Sequence, residues 1–125
     1  KQYLAIVDGV VEKNKGEIKL PIAPDGKNRP KQLIDFENGK SAHTCYEVIE
    51  RMEGQTRLLL TPITGRSHQL RLHMAEIGHP ILGCDLYAHH RALNASTRLM
   101  LHAFCLQFQH PSSGEQLEFF SEPPF

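Results

Sequence analysis

Long hydrophobic runs are absent from this chain of 125 residues. No stretch of eighteen apolar residues occurs, so the sequence predicts no membrane-spanning helix. No charged-then-apolar leader precedes Tyr3, and we therefore expect no secretory signal and a cytoplasmic location. The first residue is Lys1 rather than Met, which predicts that the native N-terminus lies further upstream. With 40% hydrophobic and 22% charged residues, the composition is typical of one globular domain.

Cysteine is scarce, and its number is odd. The three positions are Cys45, Cys84 and Cys105. Such wide spacing does not favour a disulfide framework and predicts reduced, packed thiols. Histidine is more abundant, but His68 and His73 are five residues apart, and His89 and His90 are adjacent. Neither spacing brings two ring nitrogens onto one helix face, so the sequence predicts no metal site.

A net positive charge is also lacking, because fourteen Lys and Arg balance fourteen Asp and Glu. The balance is uneven along the chain: residues 1–71 hold twelve basic and nine acidic side chains, whereas residues 72–125 hold two and five. Three arginines and no acid lie between Gly54 and Ala75. The composition argues against a strongly basic nucleic-acid binder but is compatible with a local basic face.

The pattern of apolar residues predicts an α+β domain made mostly of antiparallel strands. The predicted strands are 2–11, which suits burial on both faces, 42–50, 56–61, 98–108 and 116–120. Turns are predicted around Gly54 and at 111–114. A loop is predicted at 21–31, where three prolines interrupt regular structure, and an exposed connection at 13–19.

One main helix is predicted over about residues 66–77, with a short one near 90–94. Thr64 and Ser67 are the candidate N-caps. Gly78 stands where a left-handed C-cap belongs.

The helical projection of this segment gives it a core face. Leu70, Met74 and Ile77 form a stripe that we expect to be buried. Arg71 falls at the shoulder of the stripe, which predicts a half-buried stem and a guanidinium at the boundary of core and solvent.

Two groups of basic residues are candidate anion contacts. At the helix entry, residues 64–69, unpaired N–H groups and the planar fork of Arg66 suit an oxyanion. The alternative there is a capped structural helix with surface arginines. In the proline-rich loop, Lys27, Arg29 and Lys31 alternate, so an extended backbone would place them on one side. They would contact phosphates or simply face solvent.

Other catalytic signatures are missing. Serines and histidines are present, but none forms a nucleophile elbow or pairs a nucleophile with a base. There is no nucleotide-binding glycine loop of the Walker or dinucleotide type. Without reference to any family, the residues indicate an α+β domain with a plausible anion site.

Several stretches resemble the RluA-type pseudouridine synthases, a family of RNA-modifying enzymes. The longest is 64–83, which begins Thr-Gly-Arg-Ser-His-Gln-Leu-Arg and ends Gly-His-Pro-Ile-Leu-Gly. Three other segments resemble the family and follow one another in the same order. They are residues 1–9, the Leu-His-Ala of 101–103 with the His-Pro of 110–111, and the proline-rich ending. The loop Asn-Arg-Pro-Lys-Gln at 28–32 is similar to one in the branch of ribosomal large-subunit synthase A.

The resemblance implies isomerisation of a uridine in structured RNA to pseudouridine, without a cofactor. The target nucleotide is flipped out of its stack, at a cost that RNA contacts must offset. Arg71 resembles the arginine that pairs with the family's catalytic aspartate, and Tyr3 resembles the tyrosine that stacks on the target base. The simpler alternatives are a surface ion pair for Arg71 and a core ring for Tyr3. The candidate RNA contacts are Arg66, His68, Gln69, Lys27, Arg29 and Lys31.

The family's His-Arg-Leu-Asp motif, which carries the catalytic aspartate, is absent from these residues. The aspartates are Asp8, Asp25, Asp35 and Asp85, and none follows Arg-Leu. That motif normally precedes the Tyr3 strand, so we expect residues 1–125 to be the C-terminal part of a single catalytic domain and to be inactive alone. Many relatives have Gly-Asp where this chain has Gly-Cys-Asp at 83–85, which leaves capping as the expected role of Asp85.

The expected partner is RNA, namely large-subunit ribosomal RNA and also tRNA, and the protein is expected to be a monomer without a membrane partner. The alternative is a non-catalytic RNA-binding module on the same fold. An upstream Arg-Leu-Asp would favour the enzyme, and its absence would favour the binder. The near-neutral charge argues against the binder, because backbone binding without chemistry usually needs a stronger basic face.

Overall fold

The fold is organised around strand β1, Gln2–Asp8, whose last five residues are buried. The computed structural model describes residues 1–84, 86–87, 93, 99–109 and 116–120. Within them the remaining elements are β2 (Lys15–Lys19), β3 (Ile22–Pro24), β4 (Gln32–Ile34), β5 (His43–Met52), β6 (Gln55–Pro62), α1 (Gln69–Glu76), β7 (Leu101–Gln109) and β8 (Gln116–Phe120). This is the predicted α+β class, a mostly antiparallel sheet with one main helix.

Six strands form the main sheet, in the order β2-β5-β6-β1-β7-β8, with every neighbouring pair antiparallel. Strands β3 and β4 form a separate hairpin. The strands predicted at 42–50 and 56–61 are confirmed as β5 and β6, joined by a tight turn that contains Gly54. Those predicted at 98–108 and 116–120 are confirmed as β7 and β8.

Strand β1 is buried on both faces, as predicted. On one face Ala5 and Val7 belong to a core cluster that includes Leu58 of β6 and Met74 of α1. On the other face Ile6 packs against Leu82. The two environments explain why apolar residues run through β1 without alternation.

Residues 15–19 form edge strand β2, so the prediction of an exposed connection there was wrong. The strand pairs with β5, and only Ile18 is buried while Lys15, Glu17 and Lys19 are exposed. A single inward apolar residue gives an edge strand almost no hydrophobic signal. At Gly16 an added Cβ would lie 2.6 Å from the hydroxyl oxygen of Tyr46, so a larger residue there would have to displace the Tyr46 ring.

The predicted loop at 21–31 is shorter than expected. Its first residues form β3, and after the turn at 25–31 the chain returns as β4. Pro24 ends β3, and Ile22 of the hairpin packs against Leu72 of α1. The hairpin therefore covers the side of the helix that faces away from the main sheet.

Helix α1 begins at Gln69, three residues later than predicted. His68 is the N-cap, with φ 56° in the left-handed region, and no side chain caps the helix there. The prediction of Thr64 or Ser67 as the N-cap was therefore wrong. Instead, the Gln69 side chain reaches back and accepts a hydrogen bond from the backbone N–H of Arg66 at 3.0 Å, which fixes the preceding turn.

Burial of the helix is broader than the predicted stripe. Leu70 and Met74 are buried as expected, but Ile77 is 36% exposed, so its assignment to the core was wrong. Leu72 is buried on the opposite side, where the β3–β4 hairpin packs, whereas His73 is buried next to the stripe, between the Thr44 hydroxyl of β5 and the carbonyl oxygen of Leu20. The stripe analysis assumed one packed face, whereas α1 lies between two layers.

The predicted C-cap is confirmed at Gly78, which has φ +88°. Its N–H bonds to the carbonyl oxygen of Ala75, and the N–H of His79 bonds to that of Met74. These two bonds form a Schellman motif. In this motif the first residue beyond the C-cap, here Gly78, adopts the left-handed conformation.

Some predictions lie outside the described residues. They are the short helix near 90–94, apart from Leu93, the turn at 111–114, the role of Asp85, and the proline-rich ending after Phe120. Within the described part of the chain, no helix is long and apolar enough to span a bilayer.

Candidate active site

A cavity of about 540 Å³ lies where the end of β6 and the start of α1 meet β1. Both Tyr3 and Arg71 line it, as do Arg66, His68 and Gln69 at the helix entry. Lys1, residues 62–65, Leu70 and Leu101 complete the wall. The structure thus brings together Tyr3 and Arg71, which are distant in sequence, at one concave surface.

Tyr3 faces the cavity because of its register in the sheet. It pairs with Leu60 of β6, which pairs with Tyr46 of β5, and opposed side chains of antiparallel strands share a face. Leu60 belongs to the cluster formed with Leu70 of α1, so this is the face that the helix covers. Tyr3 is half-buried and packs against the same cluster. The Tyr3 ring is therefore part of the core packing, as the simpler alternative held, and it is also exposed to the cavity.

Arg71 is half-buried, as its shoulder position predicted. Among the described residues it makes no hydrogen bond or ion pair, so the surface ion-pair alternative finds no partner in this part of the chain. Its charge does act on Tyr87. Burial raises the pKa of the Tyr87 phenol, and the hydrogen bond from the backbone N–H of Gln32 and the positive charge of Arg71 oppose that shift.

Gln69 is 3% exposed, and its amide is used entirely inside the protein. Its oxygen accepts from the Thr64 hydroxyl at 2.7 Å and from the Arg66 N–H at 3.0 Å. Its nitrogen donates to the carbonyl oxygen of His43 and to the Thr44 hydroxyl, both at 2.9 Å. An amide has two acceptor and two donor positions, so none is left for RNA. We therefore withdraw Gln69 as an RNA contact and assign it to holding the β6–α1 turn against β5.

His73 continues this buried network below the cavity. Its Nδ1 lies 2.8 Å from the Thr44 hydroxyl, and its Nε2 lies 2.9 Å from the carbonyl oxygen of Leu20. Because a carbonyl only accepts, Nε2 carries the proton and Nδ1 accepts from Thr44. Burial lowers the pKa of His73, which favours the neutral ring that this pattern requires.

His68 and Tyr87 connect the helix entry to the β3–β4 hairpin. The Tyr87 hydroxyl lies 2.8 Å from Nδ1 of His68 and accepts the N–H of Gln32 at 2.8 Å. The two rings meet edge to face, with centroids 5.7 Å apart. Arg66 is held as well, because its Nε donates to the carbonyl oxygen of Ser41 at 2.9 Å. Both candidate RNA contacts thus have fixed stems at the cavity wall.

The basic loop between β3 and β4 is ordered by Asp25. Its carboxylate accepts from the Lys27 N–H at 3.2 Å and from the Asn28 side chain at 3.0 Å, and the second bond contributes most to lowering the pKa of Asp25. Lys27 and Arg29 are exposed at the tip. Lys31 is half-buried, with its ammonium 5.8 Å from the centre of the Tyr87 ring. These basic residues do not line the cavity, so any RNA contact there would lie beyond its rim.

Two features of the structure, one at this site and one on the other face of the sheet, escaped prediction from the sequence. Tyr87 carried no pattern of its own, and its link to His68 crosses 19 residues. A cluster of possible metal ligands, Glu17, His43 and Cys45, was missed because only the histidines were compared with one another. The His-x-Cys spacing within strand β5 was the available signal, because alternate strand residues share a face.

The profile of the RNA pseudouridylate synthase family matches residues 1–76. The chain belongs to this family. It is 53% identical to the dual-specificity RNA pseudouridine synthase RluA of Pasteurella multocida, over all of the chain and 58% of that protein. It is 48% identical to the protein of the same name from Escherichia coli, over 95% of the chain and 55% of that protein. The chain therefore spans little more than half the length of these relatives.

Two solved human structures have the same fold. RNA Pseudouridylate Synthase Domain Containing 1 superposes with a TM-score of 0.87 at 32% identity, over all of this chain and 55% of that one. RNA Pseudouridylate Synthase Domain Containing 4 superposes with a TM-score of 0.75 at 25% identity, over 99% of this chain and 57% of that one. The resemblance noted in the motifs is confirmed at the level of family and fold.

Proposed function

We propose that this chain is the C-terminal part of a catalytic domain that isomerises uridine to pseudouridine in structured RNA without a cofactor. The observation that carries the proposal is the placement of Tyr3 and Arg71 on the wall of one cavity. Membership of the pseudouridylate synthase family supplies the reaction class. The cavity, at about 540 Å³, lies within the roughly 300–1,000 Å³ range of ligand pockets, so an extruded nucleotide is a suitable occupant.

In this proposal the two residues have different tasks. The Tyr3 ring stacks on the flipped base, and its packing against the core cluster keeps the ring rigid. The Arg71 guanidinium pairs with a catalytic aspartate that residues 1–125 do not supply. A planar fork holds a carboxylate in one orientation and favours its ionised form. The lack of any hydrogen bond or ion pair to Arg71 within the described residues leaves the fork available for that carboxylate.

Contacts with the RNA on either side of the flipped nucleotide follow from the positions of the basic groups. Arg66 and His68 at the cavity wall are suited to the phosphates that flank the flipped nucleotide. Lys27, Arg29 and Lys31 on the β3–β4 loop are suited to the backbone further along. These contacts offset the few kcal/mol that unstacking a base costs.

The substrates we propose are large-subunit ribosomal RNA and tRNA, modified in the cytoplasm by a monomer. The relatives that carry the words "dual-specificity" in their names support two classes of substrate. Without the upstream aspartate, residues 1–125 alone are expected to be inactive. No observation favours the non-catalytic binding module, because an anion site alone does not require Tyr3 and Arg71 on the wall of one cavity.

The experiment that tests this proposal compares Tyr3→Leu with Tyr3→Phe in the full-length enzyme. Activity is followed by tritium release from uridine-labelled ribosomal RNA. Loss of base stacking costs about 1–3 kcal/mol, so Tyr3→Leu should lower kcat/KM by roughly 5- to 150-fold. Tyr3→Phe keeps the ring and should retain binding of the RNA.

The matched control is Tyr46→Leu. Tyr46 lies in the same row of the sheet and packs against the same cluster, but it does not line the cavity. An equal fall in activity for Tyr46→Leu and Tyr3→Leu would mean that Tyr3 acts only through packing and would contradict the proposal.

A further inference from the structure

A cluster of three metal-binding groups lies on the face of the sheet opposite the cavity. Glu17 and Cys45 are paired across β2 and β5, and His43 is two residues before Cys45 on the same strand. Cys45 neighbours Tyr46, which shares the row and face of Tyr3, so the side chain of Cys45 projects to the other face. The cluster is therefore separated from the proposed catalytic residues by the sheet itself.

The distances between the three ligand atoms resemble the edges of a zinc tetrahedron. His43 Nε2 lies 3.1 Å from Glu17 Oε1 and 3.7 Å from Cys45 Sγ, and the third edge, from Cys45 Sγ to Glu17 Oε1, is 3.9 Å. With bonds of about 2.0–2.1 Å to nitrogen and oxygen and about 2.3 Å to sulfur, tetrahedral zinc separates such atoms by roughly 3.4–3.6 Å. Each observed edge needs to change by only a few tenths of an ångström.

The backbone fixes the positions of these residues before any metal binds. Glu17 and Cys45 are register partners, and His43 pairs with Lys19 in the same ladder. The N–H of His43 also donates to the Thr64 hydroxyl at 2.9 Å. Ligands on paired strands are held more precisely than ligands on loops.

We propose that Glu17, His43 and Cys45 bind a zinc ion that fastens edge strand β2 to β5. A ligand set made of a thiolate, an imidazole and a carboxylate binds zinc in preference to magnesium or calcium. Glu17 and Cys45 also line a cavity of about 430 Å³, which leaves room for water as the fourth ligand. Lys19, whose ammonium lies 3.9 Å from the second oxygen of Glu17, would have to swing away from the bound cation.

The bound metal would cross-link Glu17 and His43, which are 26 residues apart in sequence. In the described sheet β2 pairs only with β5, and three of its five residues are exposed. An edge strand with so little burial has few other tertiary restraints. Because the site lies on the opposite face from Tyr3, it is independent of the proposed function.

The test is zinc binding by the full-length enzyme after treatment with a chelator. Bound zinc is measured by atomic emission, and cobalt substitution reports a thiolate ligand through its near-ultraviolet charge-transfer band. The wild type should bind one more equivalent than Cys45→Ser, and the cobalt–thiolate band should disappear in that variant. Losing a direct ligand should weaken binding by at least the roughly 10–100-fold that outer-sphere changes cost.

Two further variants decide the outcome if Cys45→Ser folds poorly. Glu17→Gln removes a ligand from a side chain that is 56% exposed and should also lose the site. Glu50→Gln is the matched control, because its side chain is 55% exposed and forms an ion pair with Arg57 outside the cluster. A plain His43–Glu17 ion pair would make zinc binding the same in all variants, and that result would overturn the proposal.

Discussion

The hydroxyl of Thr44 lies 2.8 Å from Nδ1 of His73, and this contact links strand β5 to helix α1 beneath the candidate active site. The same hydroxyl accepts from Gln69, whose oxygen fixes the turn that carries Arg66 to the cavity. A buried network in which every member has its partners holds one arrangement of its groups. The helix that carries Arg71 is therefore positioned by polar contacts as well as by Leu70 and Met74.

Protonation of His73 is expected to destabilise the fold. Burial lowers its pKa below the ordinary value of 6.5, so the unfolded chain takes up a proton that the folded chain excludes. The stabilisation is fully present above about pH 6.5 and is lost as the pH falls through the lower, folded-state pKa. Urea unfolding of the wild type and of His73→Gln at pH 7.5 and pH 5.5 measures how the free energy of unfolding of each protein changes with pH.

His73→Gln should cost about 1–3 kcal/mol at pH 7.5, because Thr44 or Leu20 loses its partner. It should also remove part of the loss of stability between the two pH values. An equal pH dependence in both proteins would show that His73 titrates freely in the folded state.

Gly78→Ala should destabilise the protein through the backbone alone. The residue has φ +88°, and an added Cβ would meet nothing within 4 Å, so no steric clash contributes. A left-handed conformation costs an L-residue about 1–2 kcal/mol relative to glycine. Thermal unfolding measures this cost, with Gly26→Ala as the control, because Gly26 also has open space but no positive φ. Equal stability of the two variants would contradict the Schellman assignment.

RNA binding by the full-length enzyme should depend on salt through the β3–β4 loop. Each neutralised phosphate contributes about −0.7 to the slope of log K against log salt for single-stranded RNA. The double variant Arg29→Ala, Lys31→Ala should flatten that slope by roughly one unit. Lys13→Ala, Lys15→Ala removes two exposed charges near β2 and should leave the slope unchanged. Identical slopes for the two double variants would assign the loop to solvent.

Sequence patterns predicted those parts of the fold that depend on interactions between residues close in sequence. The apolar run of β1, the hairpin of β5 and β6, and the C-cap at Gly78 each have a signal within a few residues. Strand β2 did not, because only Ile18 faces the core. The burial of Leu72 and His73 also escaped prediction. Leu72 is buried by the β3–β4 hairpin, and His73 by contacts with Thr44 and Leu20, all of which are distant in sequence.

The candidate site likewise contains residues that motifs identified and residues whose roles depend on contacts distant in sequence. Tyr3 and Arg71 were selected through motifs, and the structure adds that they share one cavity wall. Gln69 was misjudged because its neighbours His43 and Thr44 come from a strand about 25 residues away. The grouping of Glu17 with Cys45 required the register of β2 against β5, which no sequence periodicity provides.

The central claim, that Arg71 orients a catalytic carboxylate beside Tyr3, is tested most directly by Arg71→Lys in the full-length enzyme. Lysine keeps the charge but loses the planar fork, so kcat should fall on the order of a hundredfold, equivalent to about 3 kcal/mol. Arg57→Lys is the control, since Arg57 pairs with Ile6 in the sheet, does not line the cavity, and has a side chain 30% exposed. The account predicts a large loss of turnover for Arg71→Lys alone, with unchanged thermal stability. Turnover of Arg71→Lys equal to that of Arg57→Lys would contradict it.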